Sequence, residues 1–394
     1  MKKGLFIAHR IPFPPNKGDK LRAYHILKFL AKRYEMSLLC HIDEERDLAI
    51  VDKIDIPLRT FRYHFRPKGL RKLLSLKALP KGSLSVAYFY AGELQARYDQ
   101  IIAREKPFFV FCSCAPAAEY VFRGKETPGY LFLDFMDVDS EKWRLYAEKK
   151  AFPSSLIYRL EASRMRAYEK RILKRFDHVF LVSEAEAHLF REKVAESEKI
   201  CVLENGVDLC FFSPDYQSKL SIEGPVVVFT GAMDYWPNAD AVIWFVEKCW
   251  PLIRQRISQA SFFIVGKDPL PEVKDLAKVP GVEITGFVPD TRDYLALADV
   301  CVAPLRLARG IQNKVLEAMA MAKATVVTPQ AAEGIKYTDE ELLVASSPED
   351  FAKKVIFLLK NPEVSRKIGK MARKRIEKDY SWEKKLEKLK SLLP

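Results

Sequence analysis

Two stretches of this chain place basic side chains where a helix should start, and one adds a glutamate one turn on. The first reads APLRLARGIQNKVLEAMAMAKATVV. An apolar strand ends at VCVAP, a loop brings Arg306 and Arg309, Gly310 follows, and a helix is expected over 312–322. Lys314 falls in the first turn with Gln312 and Asn313, and Glu317 lies three residues further on the same face. A helix N-terminus carries partial positive charge and disfavours cations unless an anion sits there. Free N–H groups, two arginines and a lysine make a pyrophosphate cradle, and Glu317 can accept hydrogen bonds from vicinal ribose hydroxyls. The bland alternative is a surface helix with an ordinary Lys–Glu pair.

The second stretch, RIPFPPNKGDKLRAYHILKFL, has Gly18 as a permissive turn and Asp19 as N-cap. Lys20 and Arg22 follow in the first turn, again the wrong charge without an anion. A third signal is VVVFTGAMDYWPNADAVIWF, where Gly231 closes a strand and lets backbone N–H groups approach a phosphate, and Asn238 can cap the next helix.

The elements that must hold these loops alternate in type. Short apolar runs (GLFIAH, MSLLCHI, FFVFCS, YLFLDF, HVFLVS) alternate with amphipathic stretches, and after a polar passage near 205–225 the pattern restarts with VVVFTG, SFFIVG, VEITG, VCVAP and ATVVTP. Such alternation predicts βαβ units in parallel sheets, whose ligands bind at the carboxyl ends of strands. We therefore expect two doubly wound Rossmann-like domains, 1–207 and 208–378, with a helix at about 379–394 packing back on the first. Charged helices are expected over 348–378 and 381–393.

The 394 residues suffice for two cores, and no apolar run approaches a bilayer span. The two lysines and short apolar stretch at the start suggest a first strand rather than a signal peptide, since His9 and Arg10 interrupt it. Seven cysteines without a CxxC suit reduced thiols in a cytoplasmic protein, and none of the six histidines has metal-ligand spacing with Cys or carboxylate. A net charge of +13 favours anionic partners. From 59 to 81 the chain carries eight Lys/Arg and no acid, interleaved with Phe61, Tyr63, Phe65 and leucines. That composition suits peripheral contact with an anionic membrane face, so that the protein would work at the inner face; an ordinary exposed strand and helix is the alternative.

The residues resemble glycosyltransferase family 4, retaining enzymes of the GT-B fold. The matching stretches are PPNKGDKLR, NGVD with FFSP, FTGAMDYWPN, FIVGKDP, ITGFVPD, VCVAPLR and NKVLEAMAMAKATVV. DFMDVDSEKW, LVSEAEA and ARGIQNKVLEAMA further resemble the exosortase/PEP-CTERM-associated sugar transferases of exopolysaccharide loci. The resemblance implies a hexosyltransferase taking a UDP- or GDP-linked sugar as donor and a glycan or lipid-linked acceptor; from the histidine spacing and the absence of a recognised RNA or DNA module, no metal, no other cofactor and no nucleic acid are expected. It implies two domains facing across a cleft, Glu317 on the donor ribose, Gly18 near the transferred sugar and phosphate, and Gly266 and Gly286 to Val288 flanking the base.

The chain also departs from the family. Two glutamates separated by seven residues are usual, but the first position holds Arg309. A basic pair after the Gly231 strand is replaced by Ala232 and the Pro237, Asn238 region. Arg309 and Lys314 would then neutralise the diphosphate. Where a strand-end histidine is common, Asp137 is the nearest match, and either Asp137 or Asp139 could orient or deprotonate the acceptor. Asp139 or Ser140 capping the helix over 141–150 is the plain alternative. A sugar-nucleotide epimerase of the same fold, or less so a basic nucleic-acid-binding protein, are the rival functions.

Overall fold

A computed structural model of the chain describes residues 1–15, 18–65, 67, 82–126, 128–148, 151–308 and 311–393. These residues divide into two units, one of Met1–Glu204 with Leu386–Pro394 and one of Asn205–Lys385.

The first unit is built on a seven-stranded sheet, with strands β1 (Lys3–Ala8), β2 (Glu35–Ile42), β3 (Thr60–Phe65), β4 (Phe109–Cys112), β5 (Tyr130–Met136), β6 (His178–Leu181) and β7 (Ile200–Val202). They lie in the order β3-β2-β1-β4-β5-β6-β7. Every pairing is parallel. A parallel sheet is covered on both faces, which is why its strands read as unbroken apolar runs. Leu5 to Ile7, Phe109 to Cys112 and Leu131 to Leu133 are at most 1% exposed. Phe6 stacks on Phe111 at 5.3 Å between ring centres, and Phe111 on Phe180 at 5.9 Å, so one face is an aromatic ladder. Helices α1 (Gly18–Ala31), α2 (Asp139–Glu148) and α3 (Ser154–Arg175) belong to this unit.

The second unit has six parallel strands, β8 (Val226–Thr230), β9 (Ser261–Val265), β10 (Val282–Gly286), β11 (Val300–Ala303), β12 (Thr325–Val327) and β13 (Leu343–Val344), in the order β10-β9-β8-β11-β12-β13. Its helices include α4 (Trp236–Trp244), α5 (Asn313–Ala320), α6 (Pro348–Lys360) and α7 (Pro362–Asp379), after which comes α8 (Trp382–Leu392). The single helix expected over 348–378 is two. Pro362 has no N–H to give a continuing helix and clashes with the preceding turn, so the chain breaks at Asn361.

In each sheet the winding direction reverses once, between β1 and β4 and between β8 and β11. Loops leaving opposite ways at such a switch point open a crevice at the carboxyl ends of the strands, the usual ligand position in this architecture. The doubly wound α/β fold expected from the alternation is present in both units. Among the described residues no helix is long and apolar enough to cross a membrane.

The stretch 59–81 is only partly described. It begins with Arg59, which pairs with Glu35 at 2.6 Å and Glu105 at 3.6 Å just before edge strand β3, so the basic run is not unopposed there. Arg66 and 68–81 lie outside the described residues.

Candidate active site

At the β8/β11 switch point three side chains and two glycines determine each other's positions. Gly231 follows β8, and a Cβ on it would stand 2.7 Å from Asn238 Nδ2 and 2.9 Å from Lys314 Nζ. Gly266, after β9, is pressed closer still: its Cβ would meet the Gly231 carbonyl oxygen at 1.7 Å. At Gly266 the obstacle is backbone and only hydrogen fits, whereas at Gly231 the obstacles are side-chain ends. Asn238 does not cap α4; it lies inside that helix, nearly buried, and its Nδ2 donates to the Ala232 carbonyl at 2.9 Å. Its Oδ1 accepts from Lys314 Nζ at 2.5 Å, and the ammonium stands 4.2 Å over the Phe229 ring.

Helix α5 docks through Val315, Leu316, Met319 and Ala320, all buried, which leaves Lys314 and Glu317 half-buried on the remaining face. Its N-cap, Gln312, gives no side-chain cap to the helix. The ordinary Lys–Glu pair is not made. Lys314 turns to Asn238, and the Glu317 carboxylate makes no hydrogen bond among the described residues. Burial lowers the Lys314 pKa to about 7 against the pull of Glu317, and burial raises Glu317 to about 7 against the pull of Lys314. Asn313 adds a buried Oδ1 with no partner among the described residues. The arrangement can take up an anion at Lys314 and hydroxyl donors at Glu317.

The arginines expected beside it fare differently. Arg306 is bidentate to Asp240 on α4, which neutralises it. Arg309 and Gly310 lie outside the described residues. Gly286 is in the left-handed region at φ +66, where glycine is favoured, and Phe287 beside it is exposed. Val288 is half-buried against the Leu295 cluster.

The first unit corrects the electrostatic reading of α1. Lys20 Nζ donates to Asp47 at 2.7 Å, and Arg22 grips Asp134 through Nε at 2.6 Å and Nη2 at 2.9 Å. Both pairs are buried, Arg22 being 2% exposed, so these cations are answered by carboxylates of the protein and need no bound anion. Arg22 thus has a structural partner in Asp134. Asp19 lies inside α1 rather than before it, and accepts from His9 Nε2 and Arg10 Nη1, both at 3.0 Å. Gly18 opens the helix with no atom within 4 Å of where a Cβ would sit.

At the end of β5 the backbone turns through Met136 at φ +63 to present Asp137. A left-handed methionine is strained, and such strain concentrates at functional sites. Burial raises the Asp137 carboxyl, Asp134 adding to this and Lys142 and Arg22 opposing it. Asp139, in the first turn of α2, is raised by burial to about 6. Neither Asp139 nor Ser140 caps α2. Glu169 takes the Ser140 N–H at 3.0 Å and Glu186 the Val138 N–H at 3.0 Å, which leaves the Asp137 and Asp139 carboxylates without hydrogen bonds among the described residues.

His9, which sequence reasoning treated only as an interruption of an apolar run, stands at the β1/β4 switch point. Burial pulls its imidazole down, but Cys114 and Asp19 outweigh that and hold it up at about 9. The available signal was its place directly after a buried strand.

Residues 224–361 match the family described as glycosyl transferases group 1. The matched region begins just before β8 and ends at the break before α7, and so contains Gly231, Gly266, Val288, Lys314 and Glu317 but not Gly18, Arg22 or Asp137.

An uncharacterized glycosyltransferase of Methanocaldococcus jannaschii is 23% identical over 239 residues, which is 57% of this chain and 59% of that protein. The match thus spans less than two thirds of that relative. Among solved structures, sucrose-phosphate synthase of Thermosynechococcus elongatus superposes with a TM-score of 0.67 at 17% identity, covering 100% of this chain and 98% of that one. Anabaena HepE in complex with UDP and glucose gives 0.68 at 16% identity, covering 100% and 99%. The two parallel-sheet units together have the GT-B fold.

Proposed function

We propose that the chain is a glycosyltransferase that moves a sugar from a nucleoside diphosphate to an acceptor hydroxyl. The observation that carries this reading is Lys314, poised near neutrality between Asn238 and Phe229, one turn before the unpartnered Glu317. In transfer, the bond between the anomeric carbon and the β-phosphate oxygen breaks, the electron pair leaves with the diphosphate, and a bond to the acceptor oxygen forms. Lys314 and the free N–H groups of α5 would hold the departing charge, stabilisation worth most where water is excluded. Glu317 would accept from the ribose hydroxyls.

A UDP- or GDP-linked donor fits this chemistry, and the HepE structures with UDP and glucose and with UDP-glucose support it by analogy of fold. Asp137 or Asp139 would orient the acceptor and take its proton. Retention of configuration, metal-independent action, membership of family 4 and its exosortase-associated branch, and a place in exopolysaccharide or other cell-surface glycan synthesis at the cytoplasmic membrane face belong to the same proposal, as does membrane contact through 59–81. These rest on the motif resemblance. The test is a thermal-shift panel of nucleotides and nucleotide sugars, since a ligand that binds the folded state raises the melting temperature by mass action. UDP or GDP should stabilise the protein and Glu317→Ala should remove the response. Product formed from the donor without any acceptor would instead favour an epimerase.

A further inference from the structure

Four large apolar side chains left in solvent lie together at one place. Phe152 is 81% exposed, Leu156 60%, Leu160 42% and Ile157 41%. Phe152 precedes α3, and Leu156, Ile157 and Leu160 lie on one side of its first two turns. This tip is held rigidly from behind. Trp143 of α2 stacks on Tyr158 at 5.5 Å and meets Tyr146 edge-on at 5.8 Å. Glu161, buried beneath the tip, accepts from Ser83 Oγ at 2.7 Å and from the N–H groups of Leu84 at 2.8 Å and Ser85 at 2.9 Å. A soluble surface does not ordinarily carry such a cluster without a partner.

Charge indicates which partner. Between Glu148 and Glu161 the sequence holds Arg159 and, outside the described residues, Lys149 and Lys150, and no acid. Glu161 is itself 2% exposed, so it presents no negative charge there. The Glu161 bonds, with Arg164 donating to the Gly82 carbonyl at 2.9 Å, also bring the chain that follows the basic stretch to α3 beside the tip. A second copy of a chain of net charge +13 would set these cations against one another. Anionic lipid satisfies both features, apolar side chains entering the acyl boundary while basic ones stay among the headgroups.

We infer that the tip formed by Phe152, Leu156, Ile157 and Leu160 inserts into the interface of an anionic lipid surface. This extends the membrane reading of 59–81 to an apolar anchor, and separate variants distinguish the two. Flotation of the full chain with phosphatidylcholine vesicles, with and without phosphatidylglycerol, is the measurement. The wild type should float only with anionic vesicles. Phe152→Ser with Leu156→Ser should lower binding by about tenfold or more, the scale of losing two buried apolar side chains, with an unchanged melting temperature. Phe152→Trp should shift its emission to the blue on adding anionic vesicles.

The inference is overturned if the double variant floats as well as the wild type, or if the new tryptophan stays in water. It is equally overturned if the wild type self-associates with concentration and the double variant does not, which would make the tip a contact between copies. Charge reversal within 59–81 that abolishes flotation, with the tip variant unaffected, would leave the basic-segment reading standing and this one refuted. Flotation of no variant and not of the wild type would end both.

Discussion

Lys314 Nζ donates to Asn238 Oδ1 across 2.5 Å, and that bond joins the first turn of α5 to the first turn of α4 at the point where the sheet reverses its winding. The same asparagine holds the Ala232 carbonyl, so the turn after β8 and the ammonium are positioned by one side chain. Lys314→Met should weaken UDP or GDP binding by roughly 10- to 100-fold, the range for losing one charged hydrogen bond. Asn238→Ala should weaken it too, while also costing about 1–2 kcal/mol of stability through the unpaired carbonyl. Titration calorimetry and urea unfolding separate the two effects.

Binding should take up a proton. Burial places the free Lys314 near 7, below its usual value, and an anion beside it favours the charged form and raises it again. Affinity for a diphosphate should therefore fall as pH rises above about 7, until the pKa of the bound state is passed. Calorimetry at pH 8 in buffers of different ionisation enthalpy should show proton uptake, and Lys314→Met should abolish it. The free protein carries the opposite dependence. Its lowered lysine binds fewer protons than the unfolded chain above about 7, so this group's contribution to stability rises with pH between there and the ordinary lysine range.

The glycines should separate by contact. Gly266→Ala drives a methyl into the Gly231 carbonyl and should lower stability by roughly 1–3 kcal/mol, as overpacking does. Gly231→Ala meets the side-chain ends of Asn238 and Lys314 and should remove the nucleotide response more than the fold. Gly18→Ala meets nothing and should melt like the wild type. Thermal melts with and without UDP or GDP give all three results, and a Gly18→Ala protein that fails to fold would contradict the geometry.

Arg22→Met should destabilise by about 3–5 kcal/mol, because it strands the buried Asp134 carboxylate. Adding Asp134→Leu should recover much of the loss. Equilibrium urea unfolding decides the matter; unchanged stability with weakened donor binding would return Arg22 to a substrate role.

The fold was legible where strands were buried on both faces, since each such run is apolar without interruption. The strands that escaped notice lie at sheet edges, β7 with three residues and β13 with two, while β3, with Arg62 and its aromatics, was read only as an alternative for part of 59–81. The Gly231, Lys314 and Glu317 grouping could be anticipated because glycine and charge stand directly after strands. The role of Arg22 could not, since its partner is 112 residues away. Lys20 is similar, with Asp47 27 residues on. A cation at a helix start reads the same whether a ligand or a distant carboxylate answers it. Asn238 looked like a cap because its type suits one; only the position of the Lys314 ammonium shows what its amide does.

The most direct test is a crystal structure of the full chain grown with UDP or GDP. The diphosphate oxygens should lie within hydrogen-bonding distance of Lys314 Nζ and the first N–H groups of α5, with the ribose hydroxyls on Glu317. A nucleotide bound elsewhere, or a first turn of α5 closed by the protein's own side chains, would contradict the account.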